Sequence, residues 1–308
     1  MLQNPIISIV SPVYKAEKFV EKLVSEIQKA MTIIGVSYEI ILVDDRSMDN
    51  SWILMKALAM KHNEVKSIRL SKNFGQHPAI MAGLTHAKGD WVVVMDCDLQ
   101  DQPKEIGKLF AKTQEGYEIV LARRTNREDH FLKKLSSTIF SKVYGFFTDT
   151  KYDNEIANFG IYHKKVVHSI LEIADYIKFF PLFVTFVGYT STSVPVEHAP
   201  RASGTTSYSL GKLLSLAFNT IISFSNKPLK IVVKFGLTIS LLSVGIGTYQ
   251  IYKAFTNQIE VLGYTSIIVS IWFLSGVIIT TIGVTGIYVG RIFDQSKNRP
   301  VFIIDEIA

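Results

Sequence analysis

Asp96, Asp98, Gln100 and Asp101 fall close together, directly after the apolar run Trp91 to Met95. Carboxylates are hard oxygen donors. Two of them one residue apart can share one divalent cation, and that cation can hold a diphosphate. A second reading stays open for the same residues. Asp101 and Pro103 also suit the start of a helix, so the acids could simply cap it. The run before them is apolar and β-prone and reads as a buried strand. Ligand crevices of open parallel α/β sheets lie at the carboxyl ends of their strands.

The elements that must position this stretch alternate along the chain. Ile6 to Ser11 reads as a first strand, left through Pro12-Val-Tyr14. Glu17 to Ile34 carries apolar residues at Phe19, Val20, Leu23, Val24, Ile27, Ala30 and Met31, the period of a helix, and Gly35 stops it. Glu39 to Val43 is a second strand, ending in Asp44 and Asp45; a helix follows from Asn50 to His62. Val65 to Leu70 is a third strand, with a polar loop through Asn73 and a helix from about Pro78 to Ala87. The Trp91 strand comes next, then a helix from Lys104 to Gly116 and a fifth strand from Glu118 to Ala122. This alternation predicts a mainly parallel sheet with helices on both faces.

Five successive strand ends thus carry polar groups: Pro12 and Tyr14; Asp44 and Asp45; Asn73; Asp96 and Asp98; Arg123 and Arg124. One acidic turn has a bland explanation. The repeated placement favours a ligand site. Neither a Gly-x-Gly-x-x-Gly dinucleotide fingerprint nor a Gly-x-x-x-x-Gly-Lys-Ser/Thr phosphate loop is present.

Arg123, Arg124, Arg127, Lys133 and Lys134 form a basic cluster, either a solvated helix face or an anion site. Phe159 to Ile173 returns to a strand and a helix, Phe179 to Val187 is aromatic and apolar, and Ser193 to Glu197 resembles another strand. Arg201 to Tyr208 is small, polar and glycine-bearing. It reads as a loop that closes on a ligand or as a linker. Leu210 to Phe224 has an apolar face and few charges. It reads as an interfacial helix or as a core helix.

Two uncharged runs follow, Phe235 to Tyr252 and Val261 to Gly290, each long enough to span a bilayer. Lys227, Lys230 and Lys234 precede the first; Arg291, Lys297 and Arg299 follow the second. The positive-inside rule then places both ends of the hairpin in the cytoplasm. The tail from Arg291 is short and partly apolar, and is expected to add an edge strand. The expected organisation is a domain over residues 1–208, an interfacial helix over 209–230, transmembrane helices at about 232–252 and 264–288 within 231–290, and a tail over 291–308.

Composition narrows the partners. The net charge is +6 and 48% of the residues are hydrophobic, so nucleic acid, an anionic membrane surface and phosphorylated substrates all fit. The basic residues form no aromatic-studded stripe, which argues against nucleic acid. Cys97 is the single cysteine, which excludes an internal disulfide and a cysteine-based zinc site. It reads as a small core residue, facing away from Asp96 and Asp98 if the strand continues. The first residues lead straight into a strand-like run, so no cleavable signal is expected. His77 reads as a capping or surface residue, with contact to a bound ligand as the alternative.

Taken together these pieces resemble the family 2 glycosyltransferases of the polyprenyl-phosphate class. The matching stretches are Ser11 to Tyr14, Val43 to Asp49, Leu70 to Gly75 with Ala82-Gly83, Met95 to Asp101, Arg123-Arg124 and Arg201 to Tyr208, and they cover essentially the whole chain. The resemblance implies a GT-A fold and a nucleotide-diphosphate sugar donor, with UDP-glucose as the expectation and an aminoarabinose derivative or mannose as alternatives. It implies undecaprenyl phosphate as acceptor, inversion at the anomeric carbon, and a multi-pass protein of the bacterial inner membrane that assembles as a dimer or tetramer. Pro12, Tyr14, Asp44, Asp45, Asn73 and Asp96 would bind the donor nucleotide. Asp96, Asp98 and Gln100 would hold Mg2+ or Mn2+. Asp96, Asp98 and Arg201 would be the catalytic set. Arg124, Arg127, Lys133, Ser136 and Ser137 would take the lipid phosphate.

The chain departs from the family at three places. Lys15-Ala16 stands where Asn-Glu is common, Asn158-Phe159-Gly160 where some members have Asp-Phe-Arg, and no Ser-Lys-Tyr occurs before residue 208. Competing functions fit less well. A processive synthase would show Gln-x-x-Arg-Trp and more spans. A flippase would need charge within its spans, and a scaffold would not need the aspartate pair.

Overall fold

The computed structural model describes residues 5–124, 145, 156–175, 178–197, 225–256 and 263–308. Its centre is an eight-stranded sheet built from β1 (Ile7–Val13), β2 (Tyr38–Asp44), β3 (Val65–Leu70), β4 (Trp91–Val94), β5 (Ile119–Arg124), β6 (Ile156–His163), β7 (Ser191–Val196) and β8 (Ile304–Ile307). The order is β7-β5-β6-β4-β1-β2-β3-β8. The first four strands are parallel to one another, as the alternation of elements predicts. The whole sheet is mixed, because β6 runs antiparallel to β4 and β5, and β8 runs antiparallel to β3.

β1 is buried along its full length, lying centrally between β2 and β4. A strand covered on both faces reads as an unbroken apolar run. Its two serines are the exceptions. Ser8 donates to Glu39 at 2.6 Å and accepts from the Gly89 N–H at 2.7 Å, which ties the entry of β4 to β1.

The helices of this unit are α1 (Val20–Ile34), α2 (Ser51–Lys61), α3 (Gln76–Leu84), α4 (Ile106–Thr113), α5 (Lys164–Glu172) and α6 (Phe180–Phe186). α1 buries Val20, Leu23, Val24, Ile27, Ala30 and Met31, the stripe read from its period. It stops at Gly35, whose φ of 73° is left-handed and whose N–H bonds back to Met31. α1 packs with α2 and α4, while α3 packs with α5 and α6. α3 lies close on β1 because Gly83 has no side chain; a Cβ there would meet Val10 Cγ1 at 2.3 Å.

The chain divides into two compact units. One holds β1 through β7 together with the tail from Arg299, and the other holds α7 (Lys227–Phe255) and α8 (Tyr264–Ser296). Both of these helices are long and apolar enough to cross a membrane. The expected interfacial stretch lies outside the described residues up to Phe224.

The tail forms the edge strand expected of it. β8 covers β3, and the backbones of Ser67 and Ala308 exchange hydrogen bonds of 2.8 Å in both directions. Ion pairs fasten it, Arg46 to Asp305 and Lys56 to Glu306, each at 2.5 Å. An uncovered β3 would present unpaired backbone groups to other chains.

Candidate active site

The loops after β1, β2, β3 and β4 meet around a cavity of about 480 Å3. Pro12 and Tyr14 contribute from the end of β1, and Asp45 from the end of β2. Asn73 and Gln76 come from the turn into α3, and Asp96 and Asp98 follow β4. Six of the residues singled out in the sequence, distant along the chain, thus line one space: Pro12, Tyr14, Asp45, Asn73, Asp96 and Asp98.

Their positions follow from local structure. Asp45 is 3% exposed, and each of its carboxylate oxygens takes one backbone N–H: Phe74 at 2.7 Å and Gly75 at 2.9 Å. It therefore holds the loop that carries Asn73. Burial raises its pKa above the ordinary carboxylate value, the two backbone N–H groups oppose that, and the neighbouring Asp44 adds to it. Gly75 turns the chain into α3 at a φ of 99°. Asp96 accepts from Gln76 Nε2 at 2.6 Å, and Asp98 accepts from the Gln100 N–H at 3.1 Å. Leu99 supplies the turn between them with a φ of 61°.

Other expected residues lie elsewhere. Asp44 is fully buried beneath the cavity rather than in its wall. It accepts from the Ser47 N–H at 3.0 Å and pairs with Arg69 at 3.4 Å. β2 ends at Asp44 and Asp45 already lies in the loop beyond it, so the two have separate jobs. Gln100 engages Asp98 through its backbone and is absent from the cavity wall. Cys97 packs against the hydrophobic core, as expected of it, and also reaches the cavity. β4 ends at Val94, strand alternation does not reach residue 97, and the half-buried thiol lines the cavity. Burial first, and then the Asp96 carboxylate, push that thiol up to about 12. Arg124 ends β5, opposite Val196. Arg127, Lys133, Ser136, Ser137 and Arg201 lie outside the described residues.

Gln76 is the residue that sequence reasoning left out. Its signal was present, a polar side chain directly after a turn glycine and at the first position of a helix. Two of the departures have local accounts too, and the third lies outside the described residues. Glu17 closes a loop by accepting from the Asn50 N–H at 3.1 Å. At Gly160 a Cβ would meet Tyr162 Oη at 2.8 Å, so this β6 has no room for a side chain there. The β4–β6 register pairs Val94 with Gly160.

A profile described as glycosyl transferase family 2 matches residues 8–171, more than half of the chain and all four cavity-forming loops. The chain belongs to glycosyl transferase family 2. This glycosyltransferase is 33% identical over 299 residues to the bactoprenol glucosyl transferase of Shigella phage SfV, with 97% of each chain covered. It is 30% identical over 305 residues to the undecaprenyl-phosphate 4-deoxy-4-formamido-L-arabinose transferase of Klebsiella pneumoniae, covering 98% of this chain and 93% of that one. Its fold is like that of mannosyl-3-phosphoglycerate synthase from Rubrobacter xylanophilus, with a TM-score of 0.52 and 15% identity over 72% of this chain and 74% of the other.

Beside the cavity, His77 of the glycosyltransferase packs edge-on against Phe179 with ring centroids 4.8 Å apart, and its Nδ1 is buried without a hydrogen-bond partner. Burial lowers its pKa from 6.5 to about 4. Between those values the unfolded chain holds more protons than the folded one, so stability falls as pH falls. His77→Phe keeps the ring and removes the titration. Its thermal midpoint should drop less than that of the wild type when the pH goes from about 7 to about 4.5. Equal drops would assign the acid sensitivity to other groups.

Proposed function

We propose that this family 2 glycosyltransferase moves a sugar, glucose from UDP-glucose as the leading choice, to undecaprenyl phosphate with inversion. The observation that carries the reading is the joining of Asp96 and Asp98 to Pro12, Tyr14, Asp45 and Asn73 in one cavity at the strand ends. Its volume is in the range of sites that hold a nucleotide-sized ligand. The names of the Shigella phage and Klebsiella relatives support a polyprenyl-phosphate acceptor. They differ in the sugar, so an aminoarabinose derivative is the second choice.

In this reading Pro12, Tyr14 and Asn73 receive the base and ribose, with Asp45 holding their loop and Asp44 bracing the turn below. Asp96 and Asp98 are the residues that would hold Mg2+ or Mn2+, with Gln100 orienting Asp98. The donor set fits a hard cation: two carboxylates line the same space, and the thiol between them stays protonated. Among the described residues no three His, Cys, Asp or Glu side chains form a complete metal cage. Diphosphate oxygens and water would complete the shell. When bound, the cation neutralises charge on the departing nucleoside diphosphate.

The remaining steps need little from the protein. A phosphate monoester has a second pKa of about 6, so the acceptor arrives as a nucleophile and needs no strong base. Its oxygen forms the new bond to the anomeric carbon from one side as the bond to the diphosphate oxygen breaks on the other. That fits Asn158 in place of an acidic residue. Arg201 would add charge to the donor phosphates, and Arg124, Arg127, Lys133, Ser136 and Ser137 would hold the acceptor phosphate. α7 and α8 would anchor the enzyme as a dimer or tetramer in the inner membrane, with the basic residues at both hairpin ends keeping the catalytic unit cytoplasmic.

The test is a panel of radiolabelled nucleotide sugars, each incubated with membranes containing the protein and undecaprenyl phosphate, with and without EDTA. Label should enter the lipid fraction from one donor and stop with EDTA. Active membranes that transfer no label from any donor would sink the reading.

A further inference from the structure

A second cavity, of about 560 Å3, adjoins the first. The two share Gly75 and Gln76 and no other wall residue. Three cations reach the second cavity from distant parts of the sequence: Lys72 after β3, Lys178 before α6 and Arg299 in the tail. Lys72 lies 4.9 Å over the Phe74 ring, and Lys178 donates to the Ile173 carbonyl. Among the described residues, none of the three forms an ion pair with a carboxylate. Asp175 is an electrostatic neighbour of Lys178 without forming an ion pair with it. Cations that converge on a concavity attract an anion.

Phe74, Pro78, Pro300, Val301 and Ile303 give the same wall an apolar part, beside the polar Gln76 and His77. A wall that combines three cations with apolar side chains matches an amphiphile, an anionic head on a hydrocarbon chain. The tail part of the wall is fixed in place. The Ser71 N–H donates to the Ile303 carbonyl at 2.9 Å, which sets Lys72 beside the tail, and β8 anchors the residues that follow. Only Lys297 and Asn298 separate Arg299 from the end of α8, a helix of membrane-spanning length. The segment leaving that helix is the one that brings a cation to the cavity.

We propose that the cavity lined by Lys72, Lys178 and Arg299 is a second anion site that binds the phosphate of a lipid, separate from the donor cavity. The inference rests on reading the chain as a membrane protein and is independent of which sugar it transfers. Two sources carry this chemistry, the phospholipids of the bilayer and a polyprenyl phosphate.

The test uses the full chain in phosphatidylcholine nanodiscs, with a trace of radiolabelled photoreactive lipid. One arm carries phosphatidylglycerol and the other undecaprenyl phosphate. Wild type is compared with the double variant Lys178→Gln/Arg299→Gln. Specific cross-linking should fall about 10-fold or more, the order expected for losing one charge-assisted hydrogen bond. Lys178→Arg/Arg299→Lys should restore most of it. A fall confined to the phosphatidylglycerol arm assigns the site to bilayer lipid, and one confined to the undecaprenyl arm assigns it to the polyprenyl phosphate. Equal cross-linking of wild type and double variant in both arms overturns the proposal. UDP binding measured on the same samples should stay within about 2-fold, which shows that the donor cavity is folded. Cross-linking is read without turnover, so a failed transfer assay leaves this result standing.

Discussion

Asp98→Ala should lower sugar transfer by at least about 100-fold, the scale seen when one group aimed at developing charge is removed. The protein should still fold and enter membranes. Asp98 lies half-buried in the cavity wall and accepts a hydrogen bond from the Gln100 N–H. Asp98 is not among the buried residues, so truncation opens no hole in the apolar core. The stability change should therefore stay within about 1 kcal/mol. Asp98→Asn separates the two roles, because it can keep the turn bond while losing the charge. Label transfer and a thermal melt on all three proteins decide the matter. Transfer by Asp98→Asn at the wild-type rate would reduce Asp98 to a turn residue.

The second large effect is expected at Asp45 and differs in kind. Both of its oxygens are occupied by backbone N–H groups of the loop that carries Asn73. Asp45→Asn is not a mild change here, because its amide would turn one acceptor into a donor facing a donor. A buried N–H left without a partner costs about 1–3 kcal/mol. The variant should melt several degrees lower, and its donor Kd should rise by about 10-fold or more as the loop loosens. Titration with UDP and a thermal melt report the two effects. Unchanged donor affinity in a destabilised variant would separate the loop from the donor site.

Much of this arrangement is legible in the chain. Alternating apolar runs and amphipathic stretches locate β1 through β4 and α1 through α4, because period and burial are coupled. The carboxylates at the strand ends stand out because polar groups seldom follow buried strands so regularly. Three things resist reading, each for a physical reason. Strand direction leaves no periodic trace, so β6 reads like its parallel neighbours while running against them. Asp44 and Asp45 are chemically identical neighbours, and only the point at which β2 ends sends one beneath the cavity and the other into its wall. Gln76 meets Asp96 across 20 positions of sequence, a contact made by the packing of α3 rather than by any local pattern.

The fastening of β8 also bears on how the enzyme is made. β8 is synthesised only after α7 and α8, yet it completes the sheet begun by β1. Strands β1 to β7 can collapse as they emerge, but the outer side of β3 stays open until the hydrophobic helices have been delivered. Arg46, one residue from Asp45, lacks its Asp305 partner for the same interval. The order of translation thus brings out both apolar helices before the sheet can close. Until β8 arrives, the nascent chain carries an open strand edge and two long apolar helices at once, a state suited to disposal if either stays uncovered.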